Sequence, residues 1–164
     1  MPVPRAELER RMNRFAEACR RSGMKLTHQR TEIFREVAGS DEHPDAETVY
    51  QRVRKRVTGI SRDTVYRTLA SLEAQGLVRK AEVLFDRGRF DANTDRHHHF
   101  VCTACGLVRD FHSEALDDLP IPKSLQTIGS IQSTHVHVRG ICLACSSKQP
   151  RLKNPYDKEP THGE

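Results

Sequence analysis

No run of apolar residues in this 164-residue chain approaches the roughly 20 needed to cross a bilayer, which excludes a spanning helix. The opening MPVPRAELERR carries charge where a secretory leader carries an apolar stretch, so a cytoplasmic address is expected. Hydrophobic residues are scarce, at 36% of the chain with a mean hydropathy of −0.68. Such a composition does not furnish one large core; two small cores with a metal staple suit it better. Charge is plentiful and unbalanced: 27 Lys and Arg against 22 Asp and Glu leave a net +5. That favours an acidic partner, nucleic acid first, although many soluble proteins are as basic.

Only five cysteines are present, and four of them form two Cys-x-x-Cys pairs, Cys102/Cys105 and Cys142/Cys145. Four thiolates so arranged close a tetrahedral zinc site, with no coordination position left open for chemistry. Two disulfides or a redox dithiol are the alternatives. A cytoplasmic address and the lack of a βαβ pattern around either pair argue against both. Metal here would tie two distant strands into one small domain.

The first half reads as helices. Residues 5–22 place Leu8, Met12, Phe15 and Cys19 on one stripe, and Gly23 ends the helix. Thr27 caps a second helix with Ile33, Phe34 and Val37 inward, and Asp45 a third with Val49, Val53 and Val57 inward before Gly59. Ser61 caps a fourth that buries Val65, Leu69 and Leu72 and stops at Gly76. Leu77-Val78, Val83-Leu84-Phe85 and Phe90, around an Asp86-Arg87-Gly88 turn, read as a hairpin. Helices followed by such a hairpin make a winged helix-turn-helix domain over residues 1–92.

The second helix of a helix-turn-helix enters the major groove, N-terminal residues first. Arg62, Tyr66 and Arg67 face outward there, Arg62 suited to guanine and Tyr66 to a thymine methyl or phosphate. Ser61 and Thr64 are candidate phosphate contacts at the helix start. Gln29 and Arg30 are candidate backbone contacts, and Arg87 and Arg89 candidates for a minor groove. A solvated basic face on an ordinary helical domain is the bland alternative.

From Asn93 onward short strands replace the helices: His99–Cys102, Leu107–Phe111 and His135–Ile141, with one short helix over Ser113–Leu119. Residues 93–147 are expected to form a small α/β domain stapled by the four cysteines, so the chain as a whole is α+β. Residues 148–164 are polar and expected to be disordered. On a strand, His97 and His99 share a face and His98 points the other way. With Asp91, Asp110 and His43 they offer a mixed nitrogen and oxygen shell suited to Fe²⁺, Mn²⁺ or Zn²⁺. His135 and His137 are read as polar residues on an exposed strand edge.

The runs LTHQR (26–30), EHPDAETVY (42–50), SRDTVYRTLASLEAQGLV (61–78), RFD (89–91), HHHFVCTACG (97–106) and GICLAC (140–145) together resemble the ferric uptake regulator family. The resemblance spans roughly residues 10–147. It implies a homodimeric, metal-dependent transcriptional repressor that binds a palindromic double-stranded operator. It further implies that Cys102, Cys105, Cys142 and Cys145 hold structural Zn²⁺, and that His43, Asp91, His97, His99 and Asp110 hold regulatory Fe²⁺ or Mn²⁺ between the two domains. In iron-uptake members the positions matching Asp91 and Asp110 are usually glutamate. Two aspartates look like the peroxide-responsive subgroup, in which Fe²⁺ and hydrogen peroxide oxidise a ligand histidine, here His43 or His97. An iron, manganese or zinc uptake regulator is the near alternative. His98 and Asp117 match two positions of a further metal site in some relatives, but Thr134 stands where its later histidine falls, with His135 one residue on.

Outside that family, a metal-dependent hydrolase would need a general base and a substrate pocket, and the sequence carries no signature of either. The expectation is a regulator, not an enzyme.

Overall fold

The computed structural model describes residues 3–81, 88–131 and 134–148. Four helices come first: α1 (Arg5–Ser22), α2 (His28–Ala38), α3 (Ala46–Val53) and α4 (Arg62–Ala74). Thr27, Asp45 and Ser61 each accept a backbone N–H three residues on, so each satisfies one of the orphan donors that open α2, α3 and α4. Gly23 ends α1 at φ 70°. Gly76 follows α4 at φ 67°, and its N–H reaches Glu73 while that of Leu77 reaches back to Leu72. That paired bonding closes a helix end around a left-handed residue that glycine adopts without a Cβ penalty.

The helices share one apolar core of Phe15, Cys19, Ile33, Phe34, Val37, Val49, Val53, Val65, Leu69 and Leu72, among others. Phe15 and Phe34 stack with ring centroids 4.5 Å apart at its centre. The third helix is shorter than its pattern predicted. It ends at Val53, yet Val57 is buried all the same because the turns that follow carry it back to the core. Leu77 and Val78 are core residues but not strand; strand β1 (Arg79–Ala81) begins only after them.

β1 pairs antiparallel with β2 (Arg89–Asp91), Arg79 opposite Asp91, which forms the stem of the expected hairpin. The predicted tip, including Val83, Leu84, Phe85, Asp86 and Arg87, lies outside the described residues, as does the tail beyond Lys148.

A second sheet has the order β4-β3-β5, from β3 (His98–Cys102), β4 (Val108–Phe111) and β5 (His137–Gly140). β3 and β4 are antiparallel across the turn that holds Cys105, whereas β3 and β5 are parallel. A parallel pair needs a long crossover. Here it carries α5 (Glu114–Asp117) and an unforeseen 3-10 turn over Lys123–Thr127. A Cβ on Gly140 would meet the Phe100 ring at 3.1 Å, so the end of β5 requires glycine's close approach. Helix α6 (Leu143–Ser146), also unforeseen, follows Cys142. Among the described residues no helix is long and apolar enough to cross a membrane.

The two sheets meet in polar material. His43, Asp91, Asn93, His97, His98 and His99 are all buried. By contrast, the buried apolar residues beyond Asn93 are Val101, Cys102, Val108 and Cys142.

Candidate metal centre

The sulfurs of Cys102, Cys105, Cys142 and Cys145 lie within 4.8 Å of one another. Cys102 ends β3, Cys105 sits in the following turn, and Cys142 and Cys145 are delivered by the start of α6. None of the five cysteines is in a disulfide. Burial would raise the Cys102 thiol, but backbone N–H groups of Cys142, Cys105 and Ala104 outweigh it and pull it down to about 6. Hydrogen bonding with Cys105 and Cys142 pushes Cys145 up to about 12. Four negative sulfurs this close repel one another, so without a cation one sulfur ionises while another keeps its proton. A divalent, thiophilic ion removes that conflict, and the donor set fits one.

The second cluster draws on four parts of the fold. His43 comes from the loop between α2 and α3, Asp91 from β2, His97 and His99 from the start of β3, and Asp110 from β4; one ligand atom from each lies within 4.8 Å of all the others. All five residues expected from the sequence are therefore brought together. His43 is held at φ 50°, a conformation uncommon for any residue but glycine. Its loop is pinned by Arg89, which donates to the carbonyls of Glu42 and His43, and by Arg109, which donates to that of Asp41.

The ligand atoms crowd together, and two of them do not pair off. His43 Nε2 is 2.8 Å from Asp110 Oδ1, yet neither atom has an aligned hydrogen-bond partner. His97 Nε2 is 2.9 Å from Asp91 Oδ2 and 3.0 Å from His99 Nε2. The opposite edges of the same groups are occupied. His97 Nδ1 faces the Asp95 carbonyl at 2.8 Å and His43 Nδ1 faces that of Asp41 at 3.3 Å. A carbonyl only accepts, so the ring proton sits on Nδ1 and the Nε2 lone pair points inward. Asn93 anchors the carboxylates: its N–H donates to Asp91 Oδ1 at 2.7 Å and its Nδ2 to Asp110 Oδ2 at 3.0 Å. One oxygen of each is thereby tied back and the other left facing the imidazoles. Imidazole lone pairs and carboxylate oxygens converging on one point repel unless a cation lies between them, so the residues fit a divalent ion.

A proton on an inward Nε2 can take the cation's place. Burial would raise the Asp91 carboxyl, but hydrogen bonds from His97 and His99 and the charge of His43 hold it well below the carboxylate range. Burial would lower His97, but the Asp91 hydrogen bond raises it instead. His135, although exposed overall, is lowered by partial desolvation at the edge of the cluster. His135 and His137 are exposed and outside the five-residue set. They flank its mouth, with ring centroids 6.3 Å from His97 and 5.3 Å from His99 respectively. With Arg79, Lys80, Asp91, His97 and His99 they line a cleft of about 390 Å³.

Sequence reasoning missed Asn93, the Asp41 and Asp95 carbonyls, and Arg89 and Arg109 as supports of the cluster. Only Asn93 left a trace, as an amide two residues beyond a ligand carboxylate, a common spacing for a side-chain turn.

Of the residues named for DNA contact, Ser61, Arg62, Tyr66 and Arg67 are exposed and Arg30 and Thr64 half-buried, while Arg89 is spent on the His43 loop and Arg87 lies outside the described residues. Tyr66 is 52% exposed. Arg62 is paired with Glu47 at 3.0 Å and stacks on Tyr50 with its guanidinium 4.8 Å from the ring centre. Arg67 pairs with Asp63 at 3.0 Å, while the Ser61 hydroxyl is spent capping α4 and meets Thr64 Oγ1 at 2.9 Å. Gln29, Arg30, Thr64 and Arg67 line a cleft of about 320 Å³ between the starts of α2 and α4, together with Thr27 and Thr68.

The sequence profile of the ferric uptake regulator family matches residues 21–138. The peroxide-responsive repressor PerR of Staphylococcus epidermidis is 31% identical over 131 residues, covering 79% of this chain and 86% of that protein. PerR of Staphylococcus aureus is 29% identical over 150 residues, covering 90% of this chain and all of the relative. Among solved structures, a zinc-bound manganese uptake regulator superposes with a TM-score of 0.62 at 27% identity, over 84% of this chain and 99% of that one. The Helicobacter pylori ferric uptake regulator Fur shares the fold, with a TM-score of 0.67 at 21% identity over 85% and 93% of the two chains.

Proposed function

Because this chain belongs to the ferric uptake regulator family, whose members regulate transcription and are not enzymes, we propose that it is a dimeric metal-dependent repressor that senses hydrogen peroxide. The observation that carries the reading is the cluster of His43, Asp91, His97, His99 and Asp110, whose ligand atoms converge within 4.8 Å, with His43 Nε2 and Asp110 Oδ1 buried and unpaired. Residues 1–92 form the DNA-binding half in this reading. Arg62, Tyr66 and Arg67 meet bases or phosphates, supported by Ser61, Thr64 and Arg30. Residues 93–147 form the dimerising half. Its exposed apolar residues, among them Leu119, Ile121, Leu125, Ile128 and Val138, suit burial against a second copy. Cys102, Cys105, Cys142 and Cys145 hold Zn²⁺ as a permanent staple.

The five-residue cluster takes Fe²⁺ or Mn²⁺ and joins the halves. His43 and Asp91 belong to one and His97, His99 and Asp110 to the other. Closing them together favours the arrangement in which a dimer reaches successive major grooves of a palindromic operator, about 34 Å apart. Metal and DNA affinity are then linked reciprocally. Fe²⁺, when bound, supplies the redox chemistry with hydrogen peroxide; the chain supplies the target. One peroxide oxygen would be inserted into a ring C–H of His43 or His97 and the other would leave as water; the oxidised ring would be a poor ligand, and the joint would be released. Similarity to PerR proteins and the two aspartates at positions 91 and 110 both favour this member of the family.

The test is peptide mass spectrometry of Fe²⁺-loaded protein with and without a modest dose of peroxide. One added oxygen on the peptide holding His43 or His97, dependent on Fe²⁺ and absent with Mn²⁺, is the expected result. Unmodified histidines in protein that still holds its metal would instead favour the second reading, a metal-uptake regulator. That alternative draws on the likeness to the manganese uptake regulator.

A further inference from the structure

Beyond the two clusters, one more histidine and one more carboxylate sit together. His98 is the middle residue of the His97-His98-His99 run, so on its strand it faces away from the other two. It is fully buried at 0% exposure and its ring lies 5.5 Å from that of Phe111. Its Nε2 is 3.3 Å from Asp117 Oδ1 on α5, and neither atom has an aligned hydrogen-bond partner. A buried nitrogen and a carboxylate oxygen facing each other in this way resemble half of a divalent-ion site.

Two observations argue that no ion belongs there. The first is the tautomer. His98 Nδ1 accepts the backbone N–H of Val136 at 3.3 Å, so the ring proton belongs on Nε2, facing Asp117. His97 and His43 are wired the opposite way, with Nδ1 on the carbonyls of Asp95 and Asp41 and the Nε2 lone pair free to bind. The partner on the far side of an imidazole decides which nitrogen can ligate, and here it disqualifies the one that faces the carboxylate. The second is charge. Arg96 Nε is 3.0 Å from Asp117 Oδ1, and Nη2 donates both to the Asp117 carbonyl and, at 3.2 Å, to Thr134 Oγ1. A guanidinium is always charged and presents several donors in one plane, so it satisfies a carboxylate and nearby oxygens together.

We propose that Arg96 is the resident cation of this centre, a clamp of Arg96, Asp117 and His98 that takes no metal ion. It ties the start of β3 to α5 and to the segment that leads into β5. The joint is thus closed by the protein's own charge, whatever the metal supply. Resting on the function proposed above, this leaves the five-residue cluster, among the described residues, as the inlet for the metal signal. DNA binding would then respond to free metal as one site per protomer.

The test uses the full-length protein saturated with Zn²⁺ and freed of excess. The number of ions bound per protomer is compared between wild type, Asp117→Asn and His98→Gln. Equal counts are expected; one fewer ion in either variant would overturn the proposal. Histidine-selective ¹⁵N NMR of the wild type during the same titration needs no variant. His98 should keep its proton on Nε2 while His43 and His97 move, and a coordination shift at His98 would equally overturn it. Arg96→Ala should disturb the His98 ring signals and lower Tm by roughly 2–4 °C. Arg96→Lys, which keeps the charge, should recover part of that. Unchanged signals and Tm in Arg96→Ala would rule out the clamp. A failure of DNA binding to respond to metal would sink the functional reading while leaving these comparisons standing.

Discussion

Asn93 orders the five-residue cluster without belonging to it. Its two donors hold the outer oxygens of Asp91 and Asp110, and its own Oδ1 accepts the Asp95 N–H at 3.2 Å, at the turn whose carbonyl orients His97. Truncating its side chain frees the Asp110 carboxylate to rotate and loosens the turn at Asp95, while the backbone N–H keeps its hold on Asp91. Outer partners of this kind typically carry 10–100-fold of metal affinity. Asn93→Ala should therefore weaken Mn²⁺ binding at the five-residue cluster by about 10–100-fold, with any zinc at the four cysteines unchanged. Competition titration against a fluorescent chelator measures both. Unaltered Mn²⁺ affinity would show that Asp110 is held by its own strand. Little of this geometry was legible beforehand. His43, Asp91, His97, His99 and Asp110 are spread over 68 positions of sequence, and only likeness to a family, not spacing, assembles them. Their supports are mostly backbone carbonyls, which every residue has and which therefore leave no mark in a sequence.

At the scale of elements, the helices were the readable part, because their ends are chemical. Thr27, Asp45 and Ser61 are hydroxyl or carboxylate caps, and Gly23 and Gly76 are left-handed stops. The misreadings fell where tertiary packing overrides local pattern. Val57 keeps the apolar spacing of α3 although the helix has ended, and Leu77-Val78 look like strand but are buried as an irregular exit from α4. Helix α6 is only four residues long and is organised around two cysteines, so periodicity had nothing to register. The cap at Ser61 has a functional edge, because α4 is the proposed recognition helix. Its hydroxyl accepts the Thr64 N–H at 3.1 Å and is thereby committed to the helix before any phosphate arrives. Ser61→Ala should cost about 1 kcal/mol of stability, as loss of an N-cap does. Ser61→Asp restores the cap while adding a negative charge beside the DNA. If the hydroxyl acts through the cap, the aspartate variant regains Tm in thermal melts but binds operator more weakly than the alanine variant. Recovery of both together would assign Ser61 no place near phosphate.

For the whole molecule the decisive contrast is where hydrocarbon is buried. The helical part encloses a contiguous apolar core from Phe15 to Ala92, whereas among the described residues beyond Asn93 the buried apolar side chains are those of Val101, Val108, Cys102 and Cys142. A sheet of three strands with so little apolar cover gains too little from burial to offset the entropy of ordering it. A structural zinc site supplies apparent binding energies of about 10–16 kcal/mol, as large as the whole stability of an ordinary domain. The order β4-β3-β5 is where such energy would act: Cys102 and Cys105 close the β3–β4 hairpin, and Cys142 and Cys145 follow β5 directly, so in the proposed reading one ion would fasten both edges to the middle strand. Stripping zinc with a strong chelator at neutral pH should therefore unfold the C-terminal sheet first. Far-UV circular dichroism should keep most of the signal of α1–α4, while light scattering shows the dimer falling to monomer. Proteolysis should cut after residue 93 before it cuts within the helices. Cys142→Ser should reproduce this state without chelator. A chelated protein that remained dimeric and protease-resistant would mean that the buried histidine layer and the Arg96 clamp hold the sheet unaided, and the four cysteines would then need another role.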